Sequence, residues 1–180
     1  FSYAFILALT SIHAIENEVR LITHHTPTPL SPEAITSKWP RFNGPFDNAI
    51  SPETFLIKDW KNKKPQIIWE VSKGEGYSSP AVAKGILVLF HRKDGSEIIE
   101  GLDSETGNLI WSYRYEVDYR DRYGYSNGPR ASPVIEGDLV YAHGVTSWLT
   151  CLNLKTGKSV WQRDLKSEFQ IPDYFFGKGS

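Results

Sequence analysis

At 180 residues, with 20 Lys and Arg balanced by 21 Asp and Glu, the chain has room for one ordinary domain and no overall field to draw in nucleic acid or an anionic membrane. Its single cysteine, Cys151, excludes an internal disulfide, and with no second Cys or His at ligand spacing it reads as a small buried residue. The lack of methionine and the closing Gly177-Lys178-Gly179-Ser180, which reads as the opening of another segment, give the expectation of a piece of a longer chain.

Phe1 to Ala14 is apolar and the chain turns polar at Glu16, which matches the hydrophobic part of a secretory signal whose charged start is missing. Residues 1–14 are therefore expected to be a truncated signal peptide, and the protein to be exported to the periplasm or cell envelope; the alternative is a buried strand or helix. The stretch falls short of the about 20 apolar residues that a spanning helix needs, so no transmembrane segment is expected. Residues 15–38 read as a linker, in which His24-His25 precedes Thr26-Pro27-Thr28-Pro29, an extended composition that does not gather metal ligands. Helical character is confined to a turn or two between Ser31 and Lys38, after Pro32.

Downstream the sequence repeats. Gly101-Leu102-Asp103, Thr106-Gly107 and Trp111 return as Cys151-Leu152-Asn153, Thr156-Gly157 and Trp161 at an offset of 50, and Ser79-Pro80 returns as Ser132-Pro133 at an offset of 53. The difference has to be absorbed between Ile86 and Leu102, where Arg92-Lys93-Asp94-Gly95-Ser96 faces the shorter Gly144-Val145-Thr146-Ser147. Each copy divides into four short apolar runs separated by turn residues: Lys84-Gly85, Asp94-Gly95 and Thr106-Gly107, then Gly137-Asp138, Thr146-Ser147 and Thr156-Gly157. The runs cover about 79–83, 86–91, 97–103 and 109–115 in the first copy, and 131–135, 139–143, 148–153 and 159–164 in the second. Ile86-Leu87-Val88-Leu89-Phe90 is apolar at every position, as a strand covered on both faces should be. The expected fold class is all-β: a partial β-propeller of four-stranded antiparallel blades. Blades at about 79–115 and 131–165 are preceded by an outer strand containing Trp69 and followed by the start of a third at the C-terminal end.

The segments 101–111 and 151–161 resemble the tryptophan-docking motif of the pyrroloquinoline-quinone-like (PQQ-like) repeat family, exported bacterial type. The resemblance covers about Trp39 to Ser180, which makes 39–180 the N-terminal part of such a propeller. It implies docking roles for Trp69, Trp111 and Trp161, with Gly107 and Gly157 as the surfaces that receive the rings of neighbouring blades. Gly101 and Cys151 stand where the family usually has alanine, and Asn153 where it usually has aspartate. Trp39-Pro40-Arg41-Phe42-Asn43-Gly44-Pro45 is similar to the segment preceding the first blade in many exported members. WD and kelch signatures are absent.

In an up-and-down blade the first and third hairpins share one rim, and the middle hairpin shares the other with the interblade link. The richest loop on the second rim is the link from Glu116 to Arg130. Its Tyr119, Arg120, Arg122, Tyr123, Tyr125 and Arg130 are the candidate surface for a protein or small-molecule ligand, weighed against a solvated loop whose tyrosines cover the core. His91 and His143 read as structural, and Gly177-Lys178-Gly179-Ser180 lacks the upstream glycine of a phosphate loop.

Two functions follow from the resemblance. One is a noncatalytic binding or scaffold propeller of the cell envelope, favoured because no catalytic constellation is recognisable and no cofactor is evident. The other is a quinoprotein dehydrogenase that oxidises alcohols or sugars with pyrroloquinoline quinone and calcium. Relatives of that class need a vicinal disulfide and acidic metal ligands, and this sequence matches neither.

Overall fold

The computed structural model describes residues 20–172 except 55, 57, 58, 62 and 63. The expected signal peptide at 1–14 and the expected start of a third blade at 177–180 lie outside the described residues.

Strand β1 (Leu21–Thr23) pairs antiparallel with β2 (Trp69–Val71). A four-stranded antiparallel sheet follows in simple sequence order, made of β3 (Ala81–Ala83), β4 (Ile86–Lys93), β5 (Ser96–Asp103) and β6 (Leu109–Glu116). A second is built the same way from β7 (Val134–Glu136), β8 (Leu139–His143), β9 (Trp148–Asn153) and β10 (Ser159–Asp164). These are two successive blades of a β-propeller, with β3 and β7 as the inner strands and β6 and β10 as the outer ones.

Local chemistry explains the meander. Lys84 and Gly85 both adopt positive φ, 51° and 74°, the pair of left-handed residues that a two-residue hairpin matching strand twist requires. In the third hairpin of each blade a carboxylate or amide side chain organises the turn. Asp103 Oδ1 accepts from the Thr106 amide and hydroxyl, both at 2.8 Å, and Asn153 Oδ1 accepts from the same two groups of Thr156, both at 3.0 Å. Asn therefore performs the same turn chemistry as Asp. The inserted length of the first blade appears as a longer middle hairpin, with eight residues in each of β4 and β5 against five in β8 and six in β9.

The core lies between the blades. Ala81, Val88, Phe90 and Ile99 of the first blade form one buried cluster with Ile135, Val140, Ala142, Leu152 and Leu154 of the second, joined by Trp111. The indole of Trp111 lies over Gly157: a Cβ added there would sit 2.6 Å from the ring, and Nε1 donates to the Leu154 carbonyl at 2.7 Å. Trp111 also covers Gly101 of its own sheet, where a Cβ would come within 2.3 Å, which accounts for glycine at that position. Trp69 lies over Gly107 in the same manner, with the nearest ring atom 2.7 Å from an added Cβ. Trp161 packs on Tyr141 with ring centroids 6.0 Å apart and is 36% exposed.

Two elements depart from expectation. Strand β1 falls within the span read as linker: Leu21 pairs with Val71 and reaches the surface of Gly107, a contact that no local pattern beside a Pro-rich stretch announces. A short helix, α1 (Leu165–Phe169), follows β10, capped by Asp164 accepting from the Ser167 amide at 3.2 Å. The expected helical character at 31–38 reduces to a turn closed by Ala34 N–H on the Ser31 carbonyl.

The unequal burial of the two equivalent tryptophans sets a measurable contrast. Trp111→Ala should lower the unfolding free energy by about 3–5 kcal/mol, the range for truncating a packed indole. Trp161→Ala in the same chain should cost less than about 1 kcal/mol. Equal losses in chemical denaturation would contradict the packing described.

Candidate functional site

The antiparallel ladders place the turns at Gly85, Gly107, Gly137 and Gly157 on one rim. The opposite rim carries the Asp94-Gly95 turn, the loop at 144–147 and the two links, 72–80 and 117–133.

The second link is an ordered structure. Arg92, at the end of β4, donates through Nη1 to the Tyr119 and Asn127 carbonyls (2.6 and 3.1 Å) and through Nη2 to the Val117 carbonyl (3.0 Å). Asn127 accepts from the Asp121 amide at 2.9 Å, and its own amide and side chain donate to Glu75 Oε2 at 2.7 and 2.9 Å. Gly128 lies so close to the first link that a Cβ would be 2.0 Å from the Glu75 carbonyl oxygen, so only glycine fits. Asp121 is buried, accepts from the Tyr123 amide at 2.8 Å and is ion-paired with Arg130. The hydrogen bond from Tyr123 and the Arg130 charge hold its carboxyl below the ordinary value.

This network sorts the candidate residues. Arg130 is engaged with Asp121 and with the Ser126 and Gly128 carbonyls, and its guanidinium lies 5.8 Å from the Tyr119 ring. Both residues therefore build the link. Arg120, Arg122, Tyr123 and Tyr125 stand exposed on it, with the two tyrosine rings 6.1 Å apart. Sequence reasoning missed Tyr77, which comes from the first link, is 60% exposed and donates to the Tyr125 carbonyl at 3.3 Å. The repeat could have pointed to it, since 72–80 is the equivalent link one blade earlier.

Beside this surface a cleft of about 750 Å³ opens among Arg20, Lys73, Glu75, His91, Lys93 and Glu100. At its floor Glu100, 4% exposed, receives Arg20 Nη1 at 2.8 Å and pairs with His91 Nε2 at 3.1 Å. Gly74 N–H donates to His91 Nδ1 at 3.2 Å, which selects the tautomer that donates from Nε2. Burial pushes the Glu100 carboxyl up, but the hydrogen bonds from His91 and Arg20 outweigh it and leave the group below its ordinary 4.5. Glu97, on the opposite face of β5, is fully buried between the blades and accepts from Tyr115 Oη (2.7 Å) and Val145 N–H (3.0 Å). Here burial dominates and the carboxyl lies above 4.5. It also pushes the Tyr115 phenol up, aided by the Glu97 charge.

Among the described residues no three His, Cys, Asp or Glu side chains gather as a metal site, and Cys151 is buried within β9. No helix among the described residues is long and apolar enough to cross a membrane.

A family model described as outer membrane protein assembly factor BamB matches residues 57–174. The outer membrane protein assembly factor BamB of Yersinia pestis is 30% identical over 93 residues, 51% of this chain and 23% of that protein, so the chain spans about a quarter of this curated relative. Among solved structures, BamB from Moraxella catarrhalis aligns at 20% identity with a TM-score of 0.40, covering 53% of this chain and 26% of that one. A quinohemoprotein alcohol dehydrogenase from Comamonas testosteroni aligns at 23% identity with a TM-score of 0.39, covering 53% and 14%.

The two carboxylates of β5 should answer pH with opposite signs. Glu100 has a lowered folded pKa, so the unfolded chain binds its proton more readily. Its contribution is complete above 4.5 and is lost as pH falls through the folded value. Glu97 has a raised folded pKa, so its contribution is complete below 4.5 and is lost as pH rises through the folded value. The stability difference between wild type and Glu100→Gln should therefore grow with pH in the acid range. The difference between wild type and Glu97→Gln should shrink with rising pH, and equal slopes in denaturation at stepped pH would refute the assignment.

Proposed function

The chain belongs to the family described as outer membrane protein assembly factor BamB, and on that premise we propose that it is a noncatalytic binding module of the cell envelope that holds a protein or small ligand on its long-loop rim. One observation carries the reading. Arg120, Arg122, Tyr123 and Tyr125 are solvent-exposed on a link whose backbone is fixed by Arg92, Asn127, Glu75 and the Asp121–Arg130 pair. Tyrosine and arginine provide large contact area and directed hydrogen bonds, and a backbone ordered before binding lowers the entropic cost of association. Export to the periplasm, through a signal at residues 1–14, belongs to the same reading and is supported by the outer-membrane role in the relative's name. Trp69 and Trp111 serve in it as clamps that keep successive blades, and hence the rim, in one arrangement, and Trp161 is proposed as the equivalent clamp toward a following blade.

The combined variant Arg120→Ala, Arg122→Ala, Tyr123→Ala and Tyr125→Ala tests this directly. None of these side chains is buried, so its thermal midpoint should match wild type. A photo-crosslinking residue at the exposed Asp118 should capture an envelope partner in the wild-type background and lose that product in the variant, with affinity reduced about 30-fold or more, as expected for removal of a hot spot. Undiminished crosslinking in the variant argues against the rim. Dye-linked alcohol oxidation by the full-length protein reconstituted with pyrroloquinoline quinone and calcium would replace the binding reading with a catalytic one.

A further inference from the structure

The inner strands of the two blades are only three residues long, and each turns an edge of backbone groups toward the propeller axis. One short segment occupies both edges. Trp39 forms an antiparallel bridge with Val82 at the middle of β3: Trp39 N–H donates to the Val82 carbonyl and Val82 N–H to the Trp39 carbonyl, both at 2.8 Å. The next residue, Pro40, is fully buried and its carbonyl accepts from Ile135 N–H, at the middle of β7, also at 2.8 Å. Proline fits here because only its carbonyl is used. Arg41 then reaches Glu136 at 3.1 Å through Nη2 and Asp47 at 3.1 Å through Nη1.

The segment is folded on itself as well. The Trp39 ring lies over Gly44, where φ is +76° and a Cβ would be 2.8 Å from ring atoms. Its Nε1 donates to the Phe42 carbonyl at 3.3 Å, and Ala49 N–H closes the turn on the Asn43 carbonyl at 2.9 Å. Asp47 and Ala49 both hold positive φ, 53° and 56°, which an untethered loop would relax.

We infer that residues 39–49 are an axial staple: consecutive residues of one segment lock the inner strands of two neighbouring blades to each other and withdraw those edges from ligand binding. The Val82 N–H and C=O and the Ile135 N–H are consumed by the staple, so a ligand or strand on the axis can use those three groups only by displacing it. Only Gly at 44 lets the indole close over the turn, which ties the staple's side-chain packing to its backbone seat. This inference is independent of what the opposite rim binds.

Residue-resolved hydrogen exchange on the full chain tests it. In wild type the Val82 and Ile135 amides should be protected. In Trp39→Ala and in Gly44→Ala, which reach the same contact from its two sides, both amides should exchange about tenfold or more faster, as expected when a seated hydrogen bond opens locally. The Ile99 amide within β5 should keep its wild-type rate. Exchange of Val82 and Ile135 at solvent rates in wild type overturns the staple. So does a Gly44→Ala protein in which both amides keep full protection, and this second variant decides the matter if Trp39→Ala loosens the whole blade.

Discussion

A four-stranded sheet with two apolar faces cannot exist in water alone, and the way this chain covers those faces governs the rest of its structure. The cover is the next sheet, and the contact that fixes their relative placement is an indole lying flat on a glycine. Trp111 on Gly157 and Trp69 on Gly107 leave no room for a Cβ at either glycine, so ring and backbone meet at one distance. The hydrogen bond from Trp111 Nε1 to the Leu154 carbonyl removes the remaining rotational freedom. An apolar cluster without such a seat would hold the sheets together while leaving them free to slide.

Outer and inner edges are secured by different chemistry. At the outer edge the seat uses side-chain surface, the Trp111 ring of β6 lying over Gly157 of the next blade. At the inner edge β3 and β7 converge, and the Trp39-Pro40 backbone alone reaches both. Between them, Glu97 crosses from β5 to the Val145 amide of the next blade, and the added Cβ that Gly144 lacks would lie 2.1 Å from that carboxylate. A buried carboxylate bonded to a neighbouring blade is sensitive to spacing, since separation removes the Val145 hydrogen bond and leaves Glu97 only the one from Tyr115 of its own blade. Apolar cover, indole seat and buried carboxylate thus all require the same inter-sheet distance.

Much of this architecture was legible in the sequence because glycine and tryptophan leave marks that survive without contacts being known. A glycine at a fixed offset from a tryptophan, twice, with turn residues between short apolar runs, specifies strands, hairpins and their order. The length difference between the copies falls in the middle hairpin, as the spacing of the repeat requires, because β4 and β5 extend further. Strand β1 was not legible, for a physical reason: Leu21, Ile22 and Thr23 are too few to show a period, and their partners lie at Trp69 to Val71. The same limit hid the Arg20–Glu100 pair and the role of Pro40, which depend on residues 80 and 95 positions away respectively.

On the rim, the residue types were readable but their employment was not. Tyr119 and Arg130 look as available as Tyr125 and Arg122 in sequence, yet the first two are absorbed in holding the link and the others are left facing solvent. What separates them is Asp121, a buried acid that claims Arg130, and Arg92, whose guanidinium takes three link carbonyls. Arg92 sits at the far end of the long middle hairpin, so the residues that lengthen this blade are the ones that bring a cation within reach of the link. The extra length in β4 and β5 therefore has a use beyond the sheet: it converts the seventeen-residue connection from Val117 to Pro133 into a stiff platform, and only a stiff platform can present exposed tyrosine and arginine in a constant arrangement.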